Sequence, residues 1–485
     1  MSSISTSNVT SGFIDLATFD EIEKYLYGGH DATAYFVRET RKATWFTQVP
    51  VVLSRAAGSP AFGQEWSVAI SRAGDYMLQT WLRMNTPRVE LKKSAFVDDN
   101  PAYVNGESIR WTRNLMHNII RECSITFNDL IAARFDNYHL DFWAAFTVPE
   151  GKRNGYNNMI GNLDDLIQPR QVIPSMTLNL PLPFFYSRDS GVALPTAALP
   201  YNEMRINFYF RDWTHLLIYE DGIPGTPGSG NSPLDRRKTI SSDLLKDGTP
   251  VLGNTQVWAN YAIVSNDERK RMACAPRDIL IEQVQTAPRQ SFTPASNSQQ
   301  SFDIRFSHAI KVLFFAVRNT TSTAEHSHYL THSPYTVVGA TGSTGFIGGG
   351  ATTSWTPLGG ADPIVQTSLI YENTNRLAQM GSDYFSLVNP WYHAPVIPTE
   401  TGYHSYSYSL DFISLDPMGS TNYGKLTNVS IVPEASAQSK LAADPKQSDK
   451  LPAGMNYKQT YEFIVTAINN NIIRVSGGAL GFPVL

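Results

Sequence analysis

The sequence predicts an all-β protein of two consecutive halves, each with enough strands for an eight-stranded β-sandwich, with short helices in the loops. Three observations carry this. Strand-like segments rich in Trp, Ile, Val and Thr recur through both halves, bounded by Gly, Pro, Asn or Asp. The stretch 221–249, DGIPGTPGSGNSPLDRRKTISSDLLKDGT, is crowded with Gly, Pro, Ser and Asp and reads as a linker or surface excursion between them. The length, 485 residues, exceeds the roughly 250–300 at which one hydrophobic core stops growing. The expected division is an N-terminal segment 1–30, a first sandwich 31–220, the linker 221–249, and a second sandwich 250–485 with long loops and a C-terminal tail.

Near the start, Thr18-Phe19-Asp20-Glu21 reads as a capping box, followed by Ile22, Tyr25 and Leu26 and stopped by Gly28-Gly29. This predicts one short amphipathic helix, packed under the first domain or touching a partner. Its acids Asp20, Glu21 and Glu23 disfavour insertion into anionic lipid. From Ala43 onward strand patterns dominate: ATWFTQVPVVLS, YMLQTWLRMNT, SIRWTRNLM and IIRECSITFND. Between Asn128 and Phe146 the apolar residues Ile131, Phe135, Tyr138, Phe142 and Phe146 fall at three-to-four spacing, predicting a helix capped by Asn128. The section 149–170 reads as loop.

The central stretch Asn179 to Phe210, NLPLPFFYSRDSGVALPTAALPYNEMRINFYF, joins two apolar runs through a turn-prone, charged hinge. In the second run Met204, Ile206, Phe208 and Phe210 alternate with Arg205, Asn207 and Tyr209, the period of a strand with one buried face. Pro181, Pro183, Pro195 and Pro200 lack an amide donor and suit strand ends and corners. After the linker, strand patterns resume with QVWANYAIVS, DILIEQVQTA, SFDIRF, KVLFFAVRN, TSLIYEN, GYHSYSYSLDF, KLTNVSIV and TYEFIVTAINNNIIRVSGG. The second half thus resembles the first in kind, consistent with duplication of one fold. Three loops, Thr320 to Asp362, Asn389 to Gly402 and Glu434 to Asn456, read as surface decoration.

Composition excludes several functions. Net charge is −4, and the densest basic groups, Arg236-Arg237-Lys238 and Arg269-Lys270-Arg271, are short, flanked by acids and read as solvated loop charge; direct nucleic-acid binding is not expected. Two distant cysteines, Cys123 and Cys274, make no disulfide framework and fit a reducing compartment, with Cys123 a buried small hydrophobe. No run reaches the roughly 18 apolar residues of a membrane span, and MSSISTSNVTSG lacks signal-peptide character; the sequons at Asn8, Asn319 and Asn428 therefore carry no weight.

The search for chemistry ends without a catalytic, cofactor or metal assignment. Glu325-His326-Ser327-His328 is the best metal candidate, but no third ligand stands at a diagnostic distance, and it reads as solvated loop. Asp98-Asp99 and Asp164-Asp165 could supply a glycosidase pair, but read as turn acids. Gly342 to Gly350 lacks a P-loop lysine, and no GxSxG elbow occurs. Nine Trp, 23 Tyr and 24 Phe point instead to cores and broad interfaces. Tyr406, Tyr408, Leu410 and Phe412 share one predicted strand face, facing the core or another subunit.

Several strings resemble the iridovirus major capsid proteins, a group within the large DNA virus family, with invertebrate iridoviruses nearest. They are SGFIDLATFDEIEKYLYGG at 11–29, AFGQEWSVAISRAGDY at 61–76, RWTRNLMHNIIRECSITFNDL at 110–130, PLPFF with ALPTAALPYNE in the central stretch, DPMGSTNYGKLTNVSI at 416–431 and INNNIIRVSGGALGFPVL at 468–485. Tyr423-Gly424-Lys425 stands where relatives outside the group often carry Phe-Ser-Arg. The resemblance implies a double jelly roll, two consecutive eight-stranded jelly-roll β-sandwiches. It further implies a homotrimeric, pseudo-hexagonal capsomer tiling an icosahedral shell assembled in host cytoplasm. Minor capsid and penton proteins would be partners, and the N-terminal segment would approach an inner membrane indirectly. On the residues alone, a two-domain β-sandwich carbohydrate-binding or glycoside-processing protein stays open, and within the resembled lineage a minor capsid or penton protein is the further alternative.

Overall fold

The computed structural model describes residues 9, 11–18, 20–27, 37–92, 107–220, 237–294, 299–331, 335–338, 343–346, 362–444 and 459–482. Two units are distinguished, 1–45 and 46–485. In the first, helix α1 (Glu21–Tyr27) forms as expected, but its cap is Asp20 rather than Thr18. The Asp20 carboxylate accepts from the Glu21 amide at 2.8 Å, while the Thr18 hydroxyl is spent on the Asp15 carbonyl at 2.6 Å. Phe13, Ile14, Leu16 and Ile22 are all exposed.

The second unit is two β-sandwiches. In the first sandwich the strands are β1 (Phe46–Val52), β2 (Ser54–Gly58), β3 (Glu65–Ala69), β4 (Tyr76–Asn85), β5 (Ile120–Phe127), β6 (Leu130–Phe135), β7 (Thr177–Pro181), β8 (Met204–Phe210) and β9 (Gly253–Val264). One antiparallel sheet runs β1-β9-β4-β7 and the other β2-β3-β8-β5-β6. Only Leu53 separates β1 from β2, so one extended run crosses between the sheets. Strand β8 buries Met204, Ile206, Phe208 and Phe210 in strict alternation, as its sequence requires. Phe208 and Phe210 stack on Trp66 of β3 at ring separations of 5.5 and 6.1 Å.

Strand β9 corrects the expected boundary at 250. It pairs with β1 and β4 in the first sandwich, burying Val257, Ala259 and Tyr261 in that core. Residues 237–249 correct the linker reading likewise, because Ile240 and Leu245 join the same core and Leu245 bridges Leu91; residues 221–236 lie outside the described residues.

Asn128 is no helix cap. Asn128 and Asp129 have φ of 50° and 65° and form the two-residue turn between β5 and β6, with Phe127 opposite Leu130. The helix starts later, as α2 (Asn137–Thr147), where the Asp136 carboxylate accepts from the His139 amide at 3.0 Å. The section 149–170 is not loop but contains α3 (Glu150–Ile160), ended by Gly161 at φ 85°, and a short helix Asp164–Ile167. Likewise Arg269-Lys270-Arg271 lies on α4 (Asn266–Cys274), where Arg269 pairs with Asp75 at 2.7 Å.

In the second sandwich, β10 (Arg277–Thr286), β11 (Ala309–Asn319), β12 (Ile364–Tyr371), β13 (Thr374–Gly381), β14 (His404–Ser407), β15 (Val429–Ala435) and β16 (Tyr461–Ser476) form the main strands. One sheet runs β10-β16-β11-β14; the other runs from the short strand Phe302–Asp303 through β15 and β12 to β13. Strand β11 is buried on both faces. Leu313, Phe315 and Val317 face the second sandwich's core, whereas Val312, Phe314 and Ala316 face α2, explaining an apolar run without alternation.

Two loops expected as decoration carry structure. Asn389–His393 and Ala437–Ala443 are helices, and in the latter Ser439 is buried and donates to the Pro363 carbonyl at 3.0 Å. Gly402 closes the first of these regions at φ 103°, where an added Cβ would lie 2.3 Å from the Tyr329 carbonyl oxygen. Gly402→Ala is therefore expected to destabilise the protein by at least about 2 kcal/mol, combining backbone strain and overpacking. The denaturant midpoint measures this.

Candidate functional site

The fold leaves one conspicuous concentration of buried polar chemistry, where α2 wedges between the sandwiches. On its apolar side Tyr138, Phe142, Ala145 and Phe146 pack against Phe314, Tyr329, Phe412, Ile464 and Ile468. Phe314 stacks on Phe142 at 5.8 Å and on Phe146 at 5.3 Å. On its polar side stands Asp141, fully buried. One carboxylate oxygen accepts from the His117 Nδ1–H at 2.8 Å; the other accepts from Ser327 Oγ at 2.6 Å and the Tyr329 hydroxyl at 3.1 Å. Tyr156 donates its hydroxyl to His117 Nε2 at 2.5 Å, burial having pushed its phenol well up. Asn118 adds a bond to Ser327 Oγ at 2.9 Å.

Ser, His and Asp meet here in the wrong order for nucleophilic catalysis. Ser327 donates straight to the carboxylate, so His117 is not its base. The arrangement is a latch: His117, Asn118 and Asp141 belong to the first half and Ser327 and Tyr329 to the second. Ion pairs between the halves reinforce it, with Arg110 donating to Glu325 at 2.5 Å, Arg113 to Glu400 and Arg188 to Glu282, which Lys311 of the second half also engages.

The metal candidate Glu325-His326-Ser327-His328 is thus not solvated loop. All four residues are buried. Glu325 turns to Arg110, His326 Nε2 contacts the His215 carbonyl at 3.1 Å, and Ser327 turns to Asp141. The sequence shows the pattern of side chains but not that they diverge into the other sandwich. His326 is held well below the ordinary imidazole range by burial and by the charges of Arg211 and Arg318.

Asp164 and Asp165 are exposed at the start of a short helix whose Leu166 and Ile167 are buried, with Asp165 paired to Arg170 at 2.9 Å. Asp98-Asp99 and most of Gly342 to Gly350 lie outside the described residues. Cys123 is buried, as expected. Of the expected aromatic face, Tyr406 and Phe412 are buried but Leu410 is exposed, because β14 ends at Ser407 and the chain turns. Tyr423 is buried and shares a hydroxyl cluster with Tyr371 and Tyr408, the Tyr408–Tyr423 separation being 2.5 Å.

Residues 34–264 match the family described as major capsid protein N-terminus, and residues 268–481 match the large eukaryotic DNA virus major capsid protein family. The break falls immediately after β9. The chain is 62% identical to the major capsid protein of Costelytra zealandica iridescent virus, with 100% of both chains covered. It is 63% identical to that of Tipula iridescent virus, covering 98% of each. Among solved structures it resembles the PBCV-1 virus capsid protein, with TM-score 0.67 and 19% identity over 93% of this chain and 100% of that one. It also resembles the Faustovirus major capsid protein, with TM-score 0.62 and 11% identity over 92% and 93%. The two sandwiches are the two rolls of a double jelly roll. The chain belongs to the major capsid protein family of large eukaryotic DNA viruses, with the iridescent-virus proteins as its high-identity relatives, and its role is structural rather than catalytic.

Proposed function

We propose that three copies associate into a pseudo-hexagonal capsomer and that capsomers tile an icosahedral shell, assembled in host cytoplasm without turnover of any substrate. The carrying observation is the latch at Asp141, which makes two similar sandwiches one body. A chain with two like-shaped units presents six such units per trimer, the count a hexagonal outline needs. Apolar side chains left open on ordered elements support chain–chain contact: Phe46, Val49 and Val52 on β1, and Trp391 and Tyr392 on the helix Asn389–His393, both more than two-thirds exposed. Minor capsid and penton proteins are the further partners, and the N-terminal segment 1–30 is the proposed inner-face contact, reaching a membrane only indirectly.

Light scattering during size-exclusion chromatography at several concentrations tests this reading. The expected species has three times the chain mass of 53.9 kDa and persists on dilution. A concentration-independent monomer would overturn the trimer.

A further inference from the structure

We propose that the groove lined by Arg121, Arg211 and Arg289 is a binding site for a polyphosphate anion. This groove has a volume of about 630 Å³ and lies where the β5-β8 side of the first sandwich meets the segment between β10 and the short strand Gln290–Phe292. Among the described residues, none of the three arginines forms an ion pair. Arg121 stacks over Tyr209 with its guanidinium carbon 4.9 Å from the ring centre, and Arg289 over Tyr138 at 4.7 Å. Stacking fixes each guanidinium plane while leaving N–H edges to bond an anion. Arg211 donates only to neutral acceptors, the Asn118 carbonyl at 2.9 Å and Asn137 Oδ1 at 3.1 Å.

The positive charge is only partly compensated, by Asp136 acting through space on Arg211 and Arg289 and by Asp212 on the groove wall. Burial, together with the like charges of Arg289, Arg318 and Arg121, pushes the Arg211 guanidinium down to about 10. The hydrogen bonds of the nearby acids go to other groups. Glu462 answers Arg318 at 2.7 Å, Asp136 caps α2, and Asp212, the sole acid among the described lining residues, accepts from the Thr214 hydroxyl at 3.0 Å. A single phosphate would engage one or two guanidinium groups, whereas a chain of phosphates spans three fixed donors and discharges their mutual repulsion. Because the anion binds the folded groove and not the dispersed arginines of the unfolded chain, it stabilises the fold by linkage.

The test uses the native full-length assembly with inorganic tripolyphosphate, and a nucleoside triphosphate in a parallel arm, each against sodium sulfate at matched ionic strength. Tripolyphosphate is expected to raise the melting temperature and to bind saturably in calorimetry. Arg121→Gln and Arg289→Gln, both at exposed positions, should each weaken binding at least tenfold without lowering the ligand-free melting temperature. Equal response to both phosphate compounds assigns the phosphate chain as the recognised group; tighter nucleotide binding places a base against the Tyr209 side as well. No saturable binding beyond sulfate, or binding retained by the double variant, overturns the proposal. So does a change of oligomer mass in the variants without phosphate binding, which would instead give the groove to an acidic neighbouring chain.

Discussion

Asp141→Ala should cost about 3–5 kcal/mol, the penalty for removing one member of a buried, hydrogen-bonded charged network. The loss exceeds that of one contact because three donors are stranded together: the His117 Nδ1–H, the Ser327 hydroxyl and the Tyr329 hydroxyl. Two of these come from the second sandwich, so the variant should also loosen the coupling between sandwiches. Denaturant unfolding followed by tryptophan fluorescence is expected to shift to a lower midpoint and to separate into two transitions. Asp141→Asn keeps the volume and one acceptor oxygen but turns an amide toward donors, so its loss should be smaller, about 2 kcal/mol. A loss under 1 kcal/mol for the alanine variant, with one cooperative transition, would show that apolar packing of α2 alone holds the halves together.

Much of the architecture was legible because strands with one buried face write themselves as alternation. Met204 through Phe210 is the clearest instance, and the recurrence of strand patterns through both halves pointed to two sandwiches. The misreadings have specific physical causes. Phe135 to Phe146 has helical spacing, but extending it back to Asn128 ignored that Asn-Asp also suits a left-handed two-residue turn. The polar run Glu150–Ile160 forms a helix with only Ile160 buried, so no apolar stripe announces it. Strand β9 follows the Gly/Pro-rich stretch in sequence yet completes the earlier sheet, a non-local pairing that strand patterns do not encode. Most consequential was 325–328: two histidines, a serine and a glutamate beside Gly- and Ser-rich sequence look solvated, and only the partners Arg110, His215 and Asp141, more than 100 residues away, make the strap a buried latch.

The same seam should make the protein acid-labile before carboxylates titrate. His139 is pushed down to about 3 by burial and by the neighbouring Arg188 charge, and its ring lies between those of Phe135 and Trp143. His326 is likewise depressed by burial and by Arg211 and Arg318. Both are neutral in the folded chain but would take up protons below about 6.5 once unfolded. The unfolded state then binds more protons, so the stabilisation present above pH 6.5 is lost as pH falls toward the folded-state values. Each histidine contributes up to about 1.4 kcal/mol per pH unit, giving roughly 2.7 for the pair. Asp136, raised by burial, acts in the opposite direction, but only as pH nears the carboxylate range. Melting temperatures between pH 7.5 and 5 are therefore expected to fall steeply, and the His139→Gln/His326→Gln double variant should flatten that slope even with a lower midpoint at pH 7.5. An unchanged slope in the double variant would remove these two histidines as the origin of the effect.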